Sequence, residues 1–238
     1  MGIVAAIAVL FFGSIGMVSP TVTAVLAFQN SYCYNNAIHL FFLADTFIYA
    51  SSFATEWQTG YYRSNIIRCN TTTYAVSKCV ATGISSGLAI SLGAGLYIIG
   101  LCIHQPVISP EIVDIQISVP TFQDLMLAGH PALFFLSYIY VIFLQAMFFS
   151  VLGLMASGYL PNKYVAYATP FVAGFIINQL SNTLSLPTFI DPVKLALGRL
   201  YGLPTFSVLL IETVVFLIFT TICSILFIRT VKRRVANG

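Results

Sequence analysis

The chain has 238 residues, of which 58% are hydrophobic and 7% are charged, whereas about 25% of the residues in a soluble domain are charged. A core built from this many residues cannot hide so much apolar surface from water, so the composition excludes a soluble globular protein. The mean hydropathy of +0.93 indicates an integral membrane protein. Although the net charge is +3, ten basic residues spread over such a chain indicate orientation in a membrane, and we expect no nucleic-acid partner.

Apolar segments long enough to cross a bilayer recur six times along the chain. Because a spanning helix needs about 20 apolar residues, we predict an all-α membrane protein with six transmembrane helices, at about 3–28, 37–55, 77–103, 131–157, 164–184 and 206–228. Pro20 is expected to kink or end the first helix. No Lys or Arg precedes the apolar run at 1–12, so we expect a spanning helix there and not a cleaved signal peptide.

Most basic residues fall on one side of these six spans. Cytoplasmic loops carry an excess of Lys and Arg, so the distribution predicts that both termini are cytoplasmic, with outer loops at 104–130 and 185–205. A five-span arrangement would place the basic tail and the first basic loop on opposite faces. The residues on the cytoplasmic side are Arg63, Arg68 and Lys78 after span two, Lys163 after span four, and Arg229, Lys232, Arg233 and Arg234 after span six.

Two carboxylates fall inside predicted spans, Asp45 in span two and Glu212 in span six. An ionised carboxylate at this depth costs on the order of 2.5–3.5 kcal/mol on insertion scales, so each needs a partner or a wet cavity. One hypothesis places both carboxylates in an acidic patch of a transport pathway. In the alternative, each carboxylate either snorkels outward or pairs with Lys194 or Arg199 of the nearby outer loop. We expect Asp45, at least, to face the subunit interior.

Span three contains closely spaced small residues, including Gly83 and Gly87. Small residues four apart let helices approach closely, so we predict that this side of the span packs against another helix.

Patterns typical of enzyme or metal sites are missing from the sequence. There is no Gly-rich nucleotide-binding loop, no nucleophile elbow, and no metal-ligand spacing among the three histidines and five cysteines. We therefore expect no catalytic, cofactor-binding or metal-binding residues in this chain.

A polar segment at 56–76 separates spans two and three. It begins Glu56-Trp57-Gln58-Thr59-Gly60-Tyr61-Tyr62-Arg63, and Lys78 follows Arg63 by fifteen residues. In this six-span layout, the spacing of Glu56, Gly60, Arg63 and Lys78 resembles the signature of the ABC-2-type permeases, the membrane subunits of ABC transporters. The Pro or Ser-Arg that is usual in the following turn is missing. No basic amphipathic helix precedes span one, which indicates either a compact member of the family or a trimmed start.

The resemblance implies that segment 56–76 forms a coupling helix that docks on a cytoplasmic ATP-binding subunit, where ATP and Mg would bind. In such a helix, apolar side chains enter a groove while basic ones reach its acidic rim. The residues implied in coupling are Glu56, Gly60, Tyr61, Arg63, Ile66, Ile67, Arg68 and Lys78. The other implied partners are the lipid bilayer, a second permease copy or paralogue in a dimer, and an amphipathic substrate, a peptide or antimicrobial, exported across a bacterial cytoplasmic membrane. The loop between spans five and six would form re-entrant half-helices.

Two alternatives remain open. A non-transport polytopic membrane protein, such as an assembly or sensor subunit, would use the basic loop and tail only to bind lipid or a partner. A secondary transporter usually shows inverted repeats and several ionisable residues near the membrane midplane, neither of which is evident in the sequence. Segment 56–76 itself is either a coupling segment or a loop whose charges only set orientation.

Overall fold

The computed structural model describes residues 2–14, 23–34, 38–107, 122–185, 187–197, 200 and 203–237. All regular secondary structure in these ranges is helical, which confirms the predicted all-α class. The elements are α1 (Gly2–Ser14), α2 (Ala24–Gln29), a π-helical segment (Asn30–Tyr34), α3 (Ile38–Ala44), α4 (Ser52–Thr59), α5 (Tyr62–Cys69), α6 (Thr71–His104), α7 (Gln123–Leu127), α8 (Pro131–Tyr159), α9 (Lys163–Thr183), a short 3-10 helix (Thr188–Ile190), α10 (Pro192–Ala196) and α11 (Thr205–Asn237).

Three of the described helices, α6, α8 and α11, are long and apolar enough to cross a membrane. They coincide with predicted spans three, four and six, and they make the chain a polytopic membrane protein. At a rise of about 1.5 Å per residue, the 34 residues of α6 extend about 51 Å. The hydrocarbon core is only about 30 Å thick, so part of α6 extends beyond it.

Helix α8 lies at the centre of the bundle. Of its most apolar window, 67% is buried, against 44% for α6 and 22% for α11. Helix α6 runs antiparallel to α8, because Gly83 of α6 lies against Met147 while Gly87 lies against Phe143. A Cβ atom on Gly87 would lie only 2.7 Å from the Phe143 ring. The predicted close packing at Gly83 and Gly87 is therefore confirmed.

Helices α8 and α11 run in the same direction. Just before α8, the carboxylate of Asp124 accepts a hydrogen bond of 2.9 Å from the backbone N–H of Thr205, the first residue of α11, and another from its hydroxyl. At the opposite end, the Arg234 guanidinium donates to the Tyr159 carbonyl. Partial burial opposes the charged form of Asp124, but the hydrogen bonds from Thr205 outweigh it and lower the pKa of this carboxyl below its ordinary value.

Helix α9 follows α8 in the chain and runs back along it. Gly153 of α8 lies against the Ala166 carbonyl, and Gly174 of α9 lies near the Phe149 ring, so residue numbers rise on one helix as they fall on the other. Helix α9 covers most of predicted span five and contains Pro170. It is not among the three helices with spanning composition, although its direction is the one that a return crossing requires.

The described segments from α2 to α4 follow one another along α8, in the direction of that helix. The N–H of Ala24 donates to the Pro106 carbonyl beyond the end of α6, whereas Phe53 packs on Phe227 near the other end of the bundle. The helix is interrupted between α3 and α4, where the Thr46 hydroxyl bonds the Leu43 carbonyl and the backbone forms tighter turns. Of the predicted spans 3–28 and 37–55, the structure describes residues 3–14, 23–28 and 38–55.

The close contact at Gly87 predicts a position-specific effect of an added methyl group. Because the Phe143 ring would have to move, we expect Gly87→Ala to cost about 1–3 kcal/mol of stability. Among the described residues, no atom outside the adjacent helix backbone lies within 4 Å of a Cβ built on Gly100, in the same helix. The matched variant Gly100→Ala should be neutral or stabilising by up to about 1 kcal/mol. Thermal unfolding of the purified variants in detergent measures both, and equal melting temperatures would contradict the packing.

Candidate functional site

The chain from Glu56 to Lys78, which comprises the end of α4, all of α5 and the start of α6, folds as a compact elbow. Helix α4 ends at Gly60, whose φ of 75° lies in the left-handed region, and the N–H of Gly60 donates to the Trp57 carbonyl. A side chain at this position would strain the turn, so the geometry explains the glycine. Asn70, with φ of 63°, makes the second turn, from α5 into α6. Its ψ of 148° lies outside the left-handed helical region in which Asn is common, so the backbone at this turn is strained.

The two ends of the elbow are joined by an ion pair between Glu56 and Lys78. The Lys78 ammonium lies 2.5 Å from Glu56 Oε1, and both side chains are largely removed from solvent. The Tyr74 hydroxyl donates to Glu56 Oε2 at 2.6 Å. Lys78 also lies 4.9 Å from the centre of the Tyr49 ring. These contacts tie α4 to α6, so Glu56 and Lys78 engage each other and do not face outward.

Aromatic packing fixes α5 within the elbow. The ring of Trp57 stacks on Tyr62 with centroids 4.2 Å apart and an angle of 15° between the planes. Tyr62 belongs to a buried apolar cluster that includes Phe53 of α4 and Phe227 of α11. Ile66 packs on the same cluster. Helix α5 is therefore held against this cluster through one of its faces.

The opposite face of α5 is open. Ile67 is 85% exposed and Tyr61 is 59% exposed, and the side chains of Arg63 and Arg68 are exposed as well. The Arg63 Nε donates to the Tyr62 hydroxyl at 3.3 Å, and this hydrogen bond raises the pKa of Arg63 above its ordinary value. The sequence grouped Ile66 with Ile67 on a docking surface, but only Ile67 faces outward.

Asp45 lies in the interior of the bundle, just after α3. Its side chain is wholly buried, and neither carboxylate oxygen makes a hydrogen bond within the described residues. The side-chain amide of Gln145 lies close by without normal hydrogen-bond geometry. The oxygen of the same amide accepts a bond of 2.6 Å from Tyr32, whose hydroxyl also reaches the Ala196 carbonyl. Asp45 thus belongs to a polar cluster that joins the π-helical segment, α8 and α10.

Glu212 is the second buried carboxylate. It lies on the buried face of α11 with Val208 and Phe216, one turn away on either side. Its side chain is fully buried, and neither oxygen has a hydrogen-bond partner among the described residues. The structure therefore places both predicted pathway residues, Asp45 and Glu212, inside the protein and away from lipid.

Lys194 does not pair with Asp45. Its ammonium lies 3.9 Å from Asp191 and donates to the Ser181 hydroxyl at 2.8 Å. Asp191 also caps α10 by accepting from the N–H of Val193. Arg199, the other cation considered for pairing, lies outside the described residues.

Several polar partners were missed in the sequence. Tyr74 lies one helical turn before Lys78, a spacing that places the two side chains on one face of a helix. Gln145 lies in the middle of an otherwise apolar span, where an amide is expected to have a partner. Tyr49 and Tyr32 carried no such signal, because their contacts depend on the broken path of the chain.

The ion pair predicts a non-additive response to substitution. Lys78→Met leaves the Glu56 carboxylate without its cation, and we expect a loss of about 1.5–3 kcal/mol. The double variant Glu56→Gln/Lys78→Met should lose less than the sum of the single variants, because neither charge is left alone. Lys232→Met, at an exposed position, is the control for loss of one positive charge. Strictly additive melting temperatures would show that the pair contributes no coupling.

Two buried aspartates are expected to respond in opposite directions to removal of the carboxylate. Asp45→Ala removes a charge that has no ion-pair partner in the described chain, so stability should stay unchanged or increase. Asp191→Ala removes a helix cap and the partner of Lys194, so it should cost about 1 kcal/mol or more. Thermal unfolding in detergent compares the two variants. A large loss of stability in Asp45→Ala would indicate an ion pair or a hydrogen bond at that site.

No three His, Cys, Asp or Glu side chains within the described ranges form a group that could hold a metal ion. Comparison with protein-family models, with curated proteins and with solved structures finds no match for this chain.

Proposed function

We propose that the chain is the membrane-spanning permease subunit of an ATP-driven ABC exporter, with six crossings and both termini in the cytoplasm of a bacterial cell. Its partners are a cytoplasmic ATP-binding subunit and a second permease copy or paralogue. Its substrate is amphipathic, with a peptide or antimicrobial as the favoured class. The observation that carries this proposal is the exposed face of α5 on a rigid elbow at the basic end of the bundle.

The directions of the helices support six crossings. Because α8 and α11 run in parallel, the chain between them has to return to its starting side, and α9 is the helix that runs back. Helix α6 is antiparallel to α8, and the segments from α2 to α4 lead from the far end of α6 to the elbow. In this proposal, α1 belongs to the remaining crossing; it runs in the direction of α6, because Gly2 lies near Ala89 while Ala6 lies near Gly93.

The basic segments meet at one end of this bundle. The Gln58 amide of α4 donates at 2.9 Å to the carbonyl of Pro161, in the α8–α9 loop two residues before Lys163. Arg234 of the tail donates to Tyr159 at the same end. The elbow, the α8–α9 loop and the tail therefore lie together, and a shared excess of Lys and Arg favours a cytoplasmic location for all three.

The outer face of α5 has the chemistry of a docking surface. Ile67 and Tyr61 provide apolar contact area, and Arg63 and Arg68 flank them with positive charge. An isoleucine that is 85% exposed is stabilised when a partner or lipid covers it. A short helix of this composition fits an apolar groove with an acidic rim, such as an ATP-binding subunit would provide.

The elbow can transmit movement into the bundle. Force applied at Ile67 reaches α4 through the Trp57–Tyr62 stack and reaches α6 through the Glu56–Lys78 pair. Coupling of this kind requires packed elements that move together and do not deform independently. In this proposal, nucleotide-driven movement of the ATP-binding subunit changes the positions of the spans that enclose Asp45.

The interior polar cluster supports a cationic substrate. Asp45 and Glu212 are carboxylates without ion-pair partners in the described part of the chain. Buried ionisable groups in a membrane protein are costly and commonly mark the path of a substrate or ion. A cationic segment of an amphipathic peptide would supply the missing positive charge when the pathway opens.

Substitution on the exposed face of α5 tests the proposal. We expect the double variant Arg63→Ala/Ile67→Ala to insert and fold normally. Substrate-stimulated ATP hydrolysis by its complex with the ATP-binding subunit should fall about tenfold or more, because interface residues of this kind contribute about 1–2 kcal/mol each. The matched control is Lys232→Ala/Ile103→Ala, which removes one cation and one exposed isoleucine elsewhere. Normal coupled transport in the first variant would reduce segment 56–76 to a loop that only sets orientation.

A further inference from the structure

A basic cavity lies where α4, the end of α8 and the tail of α11 meet. Its volume is about 590 Å³, within the range of small-molecule sites, about 300–1,000 Å³. One stripe of α11 forms a wall of this cavity and contributes Arg229, Arg233 and Arg234. Trp57 and Tyr159 line it from the other elements.

No carboxylate among the described residues balances the positive charge of this cavity. The two ion pairs found in the described residues are Glu56–Lys78 and Asp191–Lys194, and neither includes an arginine. Glu56 is the carboxylate nearest in sequence to Trp57, and its two oxygens are engaged by Lys78 and Tyr74. The cavity lining itself contains no Asp or Glu. Three guanidinium groups therefore face a space that favours an anion.

The three arginines line the same cavity but differ in their burial and in their contacts. Arg234 is half-buried, with its guanidinium 5.5 Å from the centre of the Trp57 ring and a hydrogen bond to the Tyr159 carbonyl. Arg229 and Arg233 are exposed and lie one helical turn apart. A planar guanidinium offers paired N–H donors that match the oxygens of a phosphate group.

The cavity also has the polarity of a membrane interface. Trp and Tyr side chains are enriched at the level of lipid headgroups. Leu226 lines the cavity on the side that leads toward the apolar part of α11. A ligand held here would meet guanidinium groups at one end and apolar surface at the other, which is the distribution of charge in an anionic phospholipid.

We propose that this cavity binds the phosphate group of an anionic phospholipid from the membrane leaflet at the basic end of the bundle. Arg229 and Arg233 hold the phosphate, while Arg234 is fixed by Tyr159 and Trp57 and closes the site toward α4. This site rests on the proposed location of the tail at the membrane surface, and it does not depend on transport or on an ATP-binding subunit.

The single tryptophan of the chain provides a direct readout. Because the chain contains one Trp, Trp57, intrinsic tryptophan fluorescence reports on this one residue, which lines the cavity and stacks on Tyr62. The full-length protein in a neutral maltoside micelle is titrated with dioctanoyl phosphatidylglycerol, dioctanoyl phosphatidylcholine or inorganic phosphate. We expect a saturable change of Trp57 emission with the anionic lipid and little change with the zwitterionic one.

Two neighbouring positions provide a matched pair of variants. Arg233→Gln removes a cation that lines the cavity, and Lys232→Gln removes an exposed cation next to it that does not. We expect Arg233→Gln to weaken binding of the anionic lipid about tenfold, the effect of losing one charge-assisted hydrogen bond. Lys232→Gln should bind within about twofold of the unchanged protein, as expected for screened surface charge. If Arg233→Gln does not fold, Arg229→Gln, also exposed, replaces it.

The outcomes separate the ligand sources. Saturation by phosphatidylglycerol with dependence on Arg233 supports the lipid site. Saturation by inorganic phosphate with the same dependence supports the phosphate site and identifies a soluble ligand as its source. Equal weakening of binding in Arg233→Gln and Lys232→Gln would overturn the proposal. The absence of a saturable response to both phosphatidylglycerol and inorganic phosphate would overturn it as well. None of these results bears on coupling at α5, so the two proposals fail separately.

Discussion

The Glu56–Lys78 pair determines how the basic end of this bundle is built. Two residues that are 22 positions apart meet at 2.5 Å because Gly60 and Asn70 turn the chain on either side of α5. With their charges satisfied by each other and by Tyr74, the elbow packs its aromatic face inward and leaves the other face of α5 open. The exposed basic and apolar surface is thus a consequence of the inward pairing.

In the interior of the bundle, by contrast, buried carboxylates have no ion-pair partners among the described residues. Close helix packing around α8 removes water and lipid from its neighbours, and glycines such as Gly87 and Gly153 permit that approach. The same packing leaves Asp45 and Glu212 buried without ion-pair partners in the described residues. Such groups are costly in a membrane protein, so their presence in a well-packed bundle supports a role in function more than in stability.

Hydropathy predicted the helical class and the three long spans, since α6, α8 and α11 are continuous and apolar. The first two spans were harder to predict, because the chain between Ala24 and Thr59 is interrupted by a π-helical segment and by the turn near Thr46. Side-chain partners at the site depended on tertiary geometry. Ile66 and Ile67 are indistinguishable in sequence, yet one packs on Tyr62 and the other is exposed. Lys194 finds its partner in Asp191, three residues away, and not in Asp45.

In the proposed exporter, the open face of α5 contacts a soluble ATP-binding subunit in the cytoplasm. Replacing Ile67 with a photoreactive amino acid in living cells tests this contact. The control is the same replacement at Ile103, an exposed residue at the end of α6 that is far from α5. We predict that light produces a cross-link from position 67 to a soluble ATP-binding protein and none from position 103. Cross-links from position 67 to lipid alone, or the same protein captured from both positions, would contradict the account.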